Sequence, residues 1–189
     1  MKDSSLTPSS YIVLGMIAAY GPATSYEIKR WADGSVGYFW PFSRSQLYAE
    51  PRRLAGAGLL EERQEERGRR RRVYSLTDAG RGALESWLGQ PTIVPTEIRD
   101  LGLLKLYFSQ LSSREDLVAL AEQQAEAHRR RLAEYKRLRK DLAEDTRAAF
   151  ALATIRMGLL YEESALEFWR EIAREPPGRE GQRPDTDDT

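Results

Sequence analysis

Residues 40–80 read WPFSRSQLYAEPRRLAGAGLLEERQEERGRRRRVYSLTDAG, and the order of elements in this stretch decides the fold. Ser43-Arg-Ser-Gln46 has the spacing of a capping box, in which a serine hydroxyl and a glutamine three residues on satisfy the free amides of a helix start. It opens a helical segment over 43–57, with Leu47 and Leu54 facing inward. Pro51 loses the hydrogen bond to the Leu47 carbonyl and disfavours helical geometry at Glu50, which predicts a kink or break near 47–50. Gly56 and Gly58 then release the chain into two strands, 59–66 and 70–76, around a turn at Arg67-Gly68. Five of the six residues from 67 to 72 are arginine, so the tip of this hairpin is strongly basic. A two-residue turn sets Glu66 opposite Arg69 and Glu65 opposite Arg70. Such surface pairs contribute roughly 0–1 kcal/mol, and they leave Arg67, Arg71 and Arg72 for phosphates.

Upstream, Thr7-Pro8 supplies a capping hydroxyl and a proline at the first helical position, where its missing N–H costs nothing. The run YIVLGMIAAY over 11–20 is apolar nearly all round, as a small domain's central helix is. Gly21-Pro22 stops it. Thr24-Ser-Tyr-Glu27 is a second capping box, opening a short helix that Asp33-Gly34 ends. Two helices joined by a tight glycine turn form the front half of a helix-turn-helix. With a polar-tipped third helix and a basic hairpin behind them, the pattern is a winged helix-turn-helix suited to DNA. Serine, glutamine and arginine at the start of helix three match base edges, and arginine also matches phosphate. The candidate DNA-binding residues are Ser43, Arg44, Ser45, Gln46, Tyr48, Arg52, Arg53, Arg67, Arg69, Arg70, Arg71, Arg72 and Tyr74.

Downstream, Thr77-Asp-Ala-Gly80 begins a fourth helix with Ala83, Leu84, Trp87 and Leu88 at helical spacing, closed by Gly89-Gln-Pro91. Pro91 and Pro95 mark a linker. The second half reads as three helices. The first covers 96–111. The second follows Ser112-Ser113 and extends to about Arg147, on the order of 50 Å. The third covers about 148–174. Leu117, Ala121, Gln124, His128, Arg131, Tyr135, Leu138 and Leu142 trace a heptad seam with a polar middle. The last helix carries two apolar stripes: Leu152, Ile155, Leu159, Leu166 and Trp169, then Ala151, Gly158, Ala165, Phe168 and Ile172. Two stripes call for two packing partners, one of them another subunit. Residues 175–189 lack large apolar side chains and are expected to be disordered. The expected architecture is therefore mainly α with a small β-hairpin wing. Residues 1–90 form the winged helix-turn-helix, 91–174 a C-terminal antiparallel helical dimerisation domain, and 175–189 a tail.

Composition bounds the function classes. No cysteine is present, which excludes disulfides and thiolate metal sites, and the single His128 leaves no histidine cluster. No nucleophile motif surrounds His128, so no enzyme, cofactor or metal site is expected. The longest apolar run is too short to span a bilayer, and no export signal accompanies it. A cytoplasmic protein without membrane contact is the expectation. Net charge is formally zero, with 13 Lys/Arg against 10 Asp/Glu in residues 1–89 and 16 against 19 thereafter. The case for DNA rests on where the arginines cluster, not on a basic domain. The alternative is a winged-helix protein-interaction module working through the aromatic loop Tyr38, Phe39, Trp40 and Phe42.

The stretch from Tyr11 to Gly80 resembles the PadR family of bacterial transcriptional regulators. The residues that carry the resemblance are the opening helix with Gly15, Thr24-Ser-Tyr26-Glu27-Ile28, Phe39-Trp40, Ser45-Gln46-Leu47-Tyr48, Arg52-Arg53-Leu54, Gly58-Leu59-Leu60 and Arg72-Val-Tyr74-Ser-Leu76-Thr77-Asp-Ala-Gly80. The C-terminal helices look like the subfamily with an extended dimerisation domain. One departure is Ala49 after the helix-three tyrosine, where members often carry proline, with Pro51 two residues on. The resemblance implies a homodimeric regulator, expected to be a repressor, with helix three in the major groove of double-stranded DNA and the wing along the backbone. It further implies a small aromatic or lipophilic effector, for which Tyr135, Tyr161, Phe168 and Trp169 form the candidate pocket.

Overall fold

The structure is a computed structural model that describes residues 5–65 and 70–177. The expected turn at Arg67-Gly68 and all but the first three residues of the expected tail lie outside the described residues. The chain divides into two compact units, Met1–Pro95 and Thr96–Thr189.

In the first unit, α1 (Pro8–Tyr20) starts with its proline at the first helical position and buries Val13, Leu14 and Ile17. Gly21 follows at φ 92°, a conformation that a residue with a Cβ rarely adopts. It turns the chain so that Ala23 pairs with Tyr74 through two backbone hydrogen bonds of 3.0 and 2.8 Å. This one-residue bridge adds a short third rung to the hairpin. A single pairing carries no periodicity, so the sequence reads it only as a helix stop.

Helix α2 (Ser25–Asp33) has its capping box complete. The Thr24 Oγ1 accepts from the Glu27 amide at 3.3 Å, and the Thr24 amide donates back to the Glu27 carboxylate at 2.9 Å. Helix α3 (Arg44–Gly56) runs unbroken past Pro51, against the expected break near 47–50. The reason is burial. Leu47, Pro51 and Leu54 fall on one stripe and all three are fully buried. An interior proline costs about 3 kcal/mol, whereas each buried leucine contributes about 1.5–3 kcal/mol, and the proline ring adds apolar area of its own.

The hairpin is β1 (Leu60–Gln64) and β2 (Arg72–Leu76), antiparallel, shorter than the expected 59–66 and 70–76. Leu60 lies opposite Leu76, Glu62 opposite Tyr74 and Gln64 opposite Arg72, and the Glu65 amide donates to the Arg71 carbonyl at 2.9 Å. The register is thus one residue off the expected pairing of Glu65 with Arg70. A one-residue slip would turn every side chain to the other face. Buried Leu60 and Tyr74 must share the core face, and this outweighs any tight-turn preference. Helix α4 (Asp78–Leu88) is capped by Thr77, whose hydroxyl accepts from the Gly80 amide at 3.0 Å and donates to the Gly58 carbonyl at 2.8 Å. Of its residues at helical spacing, Leu84 is buried, Trp87 stacks on Tyr11 of α1 at 4.4 Å, and Leu88 faces solvent.

In the second unit, α5 (Leu101–Tyr107) is much shorter than the expected 96–111. Asp100 accepts from the Leu103 amide at 3.0 Å and so fixes a later start. A 3-10 turn (Ser109–Leu111) follows. Helix α6 (Arg114–Asp141) ends six residues before Arg147, at about 42 Å. The Asp145 side chain accepts from the Arg147 amide at 2.9 Å, a local turn that competes with helix. Helix α7 (Ala149–Arg174) returns antiparallel to α6, since His128 meets Glu162 while Tyr135 meets Gly158 further back. Leu117, Ala121, Leu132 and Tyr135 are buried on α6, and Ile155, Leu159, Leu166 and Trp169 on α7. Arg131 of the heptad reading is exposed and Leu132 takes its place, because a straight helix drifts from a strict seven-residue repeat. Among the described residues, no helix is long and apolar enough to cross a membrane.

Gly80 tests how closely α4 sits on the hairpin. A Cβ there would overlap the Leu59 carbonyl oxygen and touch the Leu76 side chain. Replacing Gly80 by Ala is expected to cost about 1–3 kcal/mol, read as a lower Tm of the full chain. An unchanged Tm would show that α4 docks less tightly.

Candidate nucleic-acid interface

The start of α3 is built for display. The Ser43 Oγ accepts from the Gln46 amide at 3.2 Å and lies 3.2 Å from the Ser45 Oγ. Only this half of the expected capping box forms among the described residues, which leaves the Gln46 carboxamide unspent. Ser45, Gln46 and Tyr48 are exposed, while Leu47 between them is fully buried. One helical turn thus alternates a core anchor with groups that can donate to and accept from base edges.

Beside this turn, α2, α3 and β2 enclose an open groove of about 920 Å³. Tyr26, Glu27 and Arg30 line it from α2, Tyr48 and Arg52 from α3, and Arg71, Arg72 and Tyr74 from the wing. Four arginines therefore face one carboxylate. The Thr24 amide, then the Thr24 hydroxyl, hold the Glu27 carboxyl below its ordinary value despite some desolvation, so it is an anion committed to the helix cap. Among the described residues, no ion pair engages Arg30, Arg52 or Arg71. Arg72, expected free, instead lies 3.3 Å from the Glu62 carboxylate across the hairpin. Tyr74 is 3% exposed. Burial first, then the charge and hydrogen bonding of Glu62, push its phenol up.

Arg53 has a different task from the one its sequence neighbours suggest. Its guanidinium makes two hydrogen bonds to Glu50, at 2.9 and 2.6 Å, and a third to the Ser10 hydroxyl of α1 at 2.9 Å. Ser10 is fully buried and donates to Glu50 at 2.6 Å. This charge-assisted triad ties the middle of α3 to the first turn of α1, and Arg53 is not among the residues that line the groove. Burial pushes the Glu50 carboxyl up, but hydrogen bonds from Arg53 and Ser10 and the guanidinium charge outweigh it and hold the group below its ordinary 4.5. Arg70 sits at φ 48° and its carbonyl accepts from Gln64 at 3.2 Å. Arg67, Arg69 and the side chain of Arg44 lie outside the described residues.

Two lining residues escape the sequence reading, Tyr26 and Arg30. They stand one helical turn apart on α2, two positions off the buried Ile28 and Ala32, so the amphipathic pattern of this helix contains their signal.

The four candidate effector residues are not gathered into one cavity. Tyr135 packs against Gly158 and is buried, and Trp169 is buried with the Phe168 ring edge-on at 5.2 Å. Both belong to the core between α6 and α7. Tyr161 and Phe168 are partly exposed, two turns apart on α7, with Tyr161 6.2 Å from the His128 ring. His128, placed by its sequence in a solvated or seam position, is in the seam, with Nδ1 2.6 Å from Glu162. A separate groove of about 550 Å³ between α5 and α6 is lined by Leu104, Phe108, Ala119 and Leu120 with Lys105 and Asp116.

Comparison with known proteins agrees with this geometry. Residues 13–86 match the "Transcriptional regulator PadR-like family", and residues 98–175 match the "Virulence activator alpha C-term" family. The negative transcriptional regulator PadR of Bacillus subtilis (strain 168) is 29% identical over 126 residues, 66% of this chain and 69% of that protein. The crystal structure of Bacillus subtilis PadR in complex with operator DNA superposes with a TM-score of 0.81 at 22% identity, over 90% of this chain and 98% of that one. The same regulator in complex with p-coumaric acid gives 0.73 at 22% identity, over 89% and 97%. The Vibrio cholerae virulence activator AphA gives 0.69 at 28% identity, over 88% and 96%.

Fold and family match together give a winged-helix DNA-binding regulator of transcription, mainly α with a two-stranded wing. Residues 13–86 belong to the PadR-like family, whose members are transcriptional regulators and not enzymes.

The Ser10–Glu50–Arg53 triad makes an acid-sensitive contribution to stability. A carboxyl whose folded value lies below its unfolded one stabilises fully above about pH 4.5, and the gain disappears as pH falls through the folded value. Glu50→Gln should flatten this part of the stability–pH curve. Glu50→Ala should cost about 1–3 kcal/mol at pH 7, because Arg53 and Ser10 lose their acceptor. Urea unfolding of both variants from pH 3 to 7 measures this, and parallel curves for wild type and Glu50→Gln would refute it.

Proposed function

We propose that the chain is a homodimeric, cytoplasmic repressor that binds operator DNA through the first turn of α3 and the arginines of the wing. The observation that carries this reading is the shared open face. The Ser43–Tyr48 turn adjoins a groove holding Arg52, Arg71 and Arg72, so base-reading and phosphate-gripping groups address one ligand. The operator complex of the Bacillus subtilis relative supports double-stranded DNA as that ligand, and the relative's description as a negative regulator supports repression.

Residues 1–90 serve as the DNA-binding part and 91–174 as the dimerising part. What supports dimerisation is the apolar surface of the second unit. Leu101, Leu104, Tyr107 and Leu111 around α5, and Phe150, Met157 and Leu160 on α7, are each more than half exposed. Exposed apolar side chains that recur along a helix in this way suit a protein–protein contact. A dimer would read half-sites about one helical turn apart, roughly 34 Å. A small aromatic acid or flat lipophilic compound is the proposed effector, supported by the relative's p-coumaric acid complex and by the partly exposed rings of Tyr161 and Phe168. It would act by binding the DNA-competent and incompetent dimers unequally.

The alternative, a winged-helix module that binds protein, finds support in the exposed Phe39 and Trp40. It leaves Arg30, Arg52 and Arg71 without a partner.

A gel shift on the DNA immediately upstream of the chain's own gene, with excess non-specific competitor, separates the readings. A discrete complex is expected, and a truncation ending at Gln90 should run as a monomer in sedimentation and bind that DNA more weakly. No complex at any salt would favour the interaction module. A truncation that stays dimeric would move dimerisation out of the C-terminal helices.

A further inference from the structure

Among the described residues that line the groove of α2, α3 and the wing, Glu27 is the one anion, set among Arg30, Arg52, Arg71 and Arg72. Two carboxylates of the same unit are each matched by an arginine, Glu50 by Arg53 at 2.6 Å and Glu62 by Arg72 at 3.3 Å. Glu27 is not. Its carboxylate accepts the Thr24 amide at 2.9 Å and the Thr24 hydroxyl at 2.8 Å, both on Oε2. These partners are neutral, so the full negative charge stays in the groove. They also fix its place, because Ile28 and Ala32 hold α2 to the core and the cap holds the side chain to α2. Arg30 and Arg71 act on the carboxylate through space, yet among the described residues neither forms an ion pair with it. The cap alone does not call for this charge, since glutamine closes a capping box as glutamate does.

We propose that Glu27 is a specificity-determining residue that works by repulsion, keeping a backbone phosphate out of the centre of the arginine groove. The inference rests on the reading of this groove as the DNA face. Binding without sequence preference is driven almost entirely by phosphates. A duplex held by charge alone settles where the positive potential is greatest, and without Glu27 that place is among the four arginines. The fixed carboxylate removes this resting place. An operator is held differently. Base contacts from the first turn of α3 select its pose, and its phosphates then meet the arginines where that pose puts them. The repulsion therefore weakens binding to unrelated DNA more than binding to the operator. Specificity is a difference of affinities, so a like charge set against the wrong complex raises it just as a new contact in the right one does.

The test uses the full chain, the DNA upstream of its own gene, and a scrambled duplex of the same length. Glu27→Gln keeps a capping side chain and removes the charge. Its affinity for the scrambled duplex should rise about threefold at about 50 mM salt. The gain should shrink at about 200 mM, where screening is stronger. Affinity for the upstream duplex should rise less, so the ratio between the two duplexes falls. Glu62→Gln is the comparison, because it frees Arg72 and leaves the carboxylate of Glu27 in place. It should strengthen binding to both duplexes alike and leave the ratio unchanged. Circular dichroism of both variants confirms that they fold. An equal rise on both duplexes in Glu27→Gln would overturn the proposal, since the carboxylate would then offset charge without discriminating. Unchanged affinity for both would overturn it as well, and leave Glu27 to the cap and the helix dipole. In either case the reading of α3 and the wing stands. If wild type itself shows no preference for the upstream DNA, the operator reading fails, and the proposal falls with it because no discrimination remains for Glu27 to supply.

Discussion

Burial of Leu47, Pro51 and Leu54 along one stripe of α3 is the constraint on which the first unit depends. These residues recur every three or four positions, so fixing them in the core leaves Ser45, Gln46, Tyr48 and Arg52 on the outer surface of the same helix. The apolar stripe also explains how a proline sits inside the helix without ending it. The Ser10–Glu50–Arg53 triad then pins the rotation of α3 about its axis by hydrogen bonds that reach α1. Packing and polar contacts thus select one presentation of the reading turn. Interactions on the buried side of α3 set what its outer side presents.

The wing follows the same logic. Leu60, Leu76 and Tyr74 share the core face of the hairpin, and their burial sets the register. That register brings Glu62 within reach of Arg72 and sets Glu65 beside Arg71 in the backbone ladder. The basic character of the wing is consequently uneven. One arginine is tethered by a neighbouring carboxylate, while Arg71 points its charge into the groove shared with α2 and α3. A formal net charge of zero is compatible with nucleic-acid recognition because charge is sorted locally rather than accumulated.

Much of the first unit is legible in the sequence because its signals are local. Thr24-Ser-Tyr-Glu27 forms the capping box its spacing specifies, Thr77 caps α4, and Gly34 and Gly89 follow the helices they end. What the sequence hides is non-local. Pro51 reads as a helix breaker until the core that buries its ring is known. The hairpin register reads from turn preference until the burial of Tyr74 is known, and nothing along the chain pairs Ala23 with Tyr74. Arg53 and Arg52 are indistinguishable in sequence, yet Ser10, forty-three residues away, takes one of them. In the second unit, side-chain caps at Asp100 and Asp145 move helix ends that periodicity alone places too far out. The aromatic pair Tyr135 and Trp169 shows the same limit, since helical spacing cannot tell a pocket wall from a core residue.

The central claim is that the turn at the start of α3, held from behind by its buried stripe, is what meets the DNA. Hydrogen exchange of the full chain, alone and saturated with its upstream DNA, addresses it most directly. Slowed exchange on binding is expected at the amides of residues 43–48 and across the wing, with the amides of α4 unchanged. Protection confined to α4 or to the aromatic loop before Ser43, with none in residues 43–48, would contradict it.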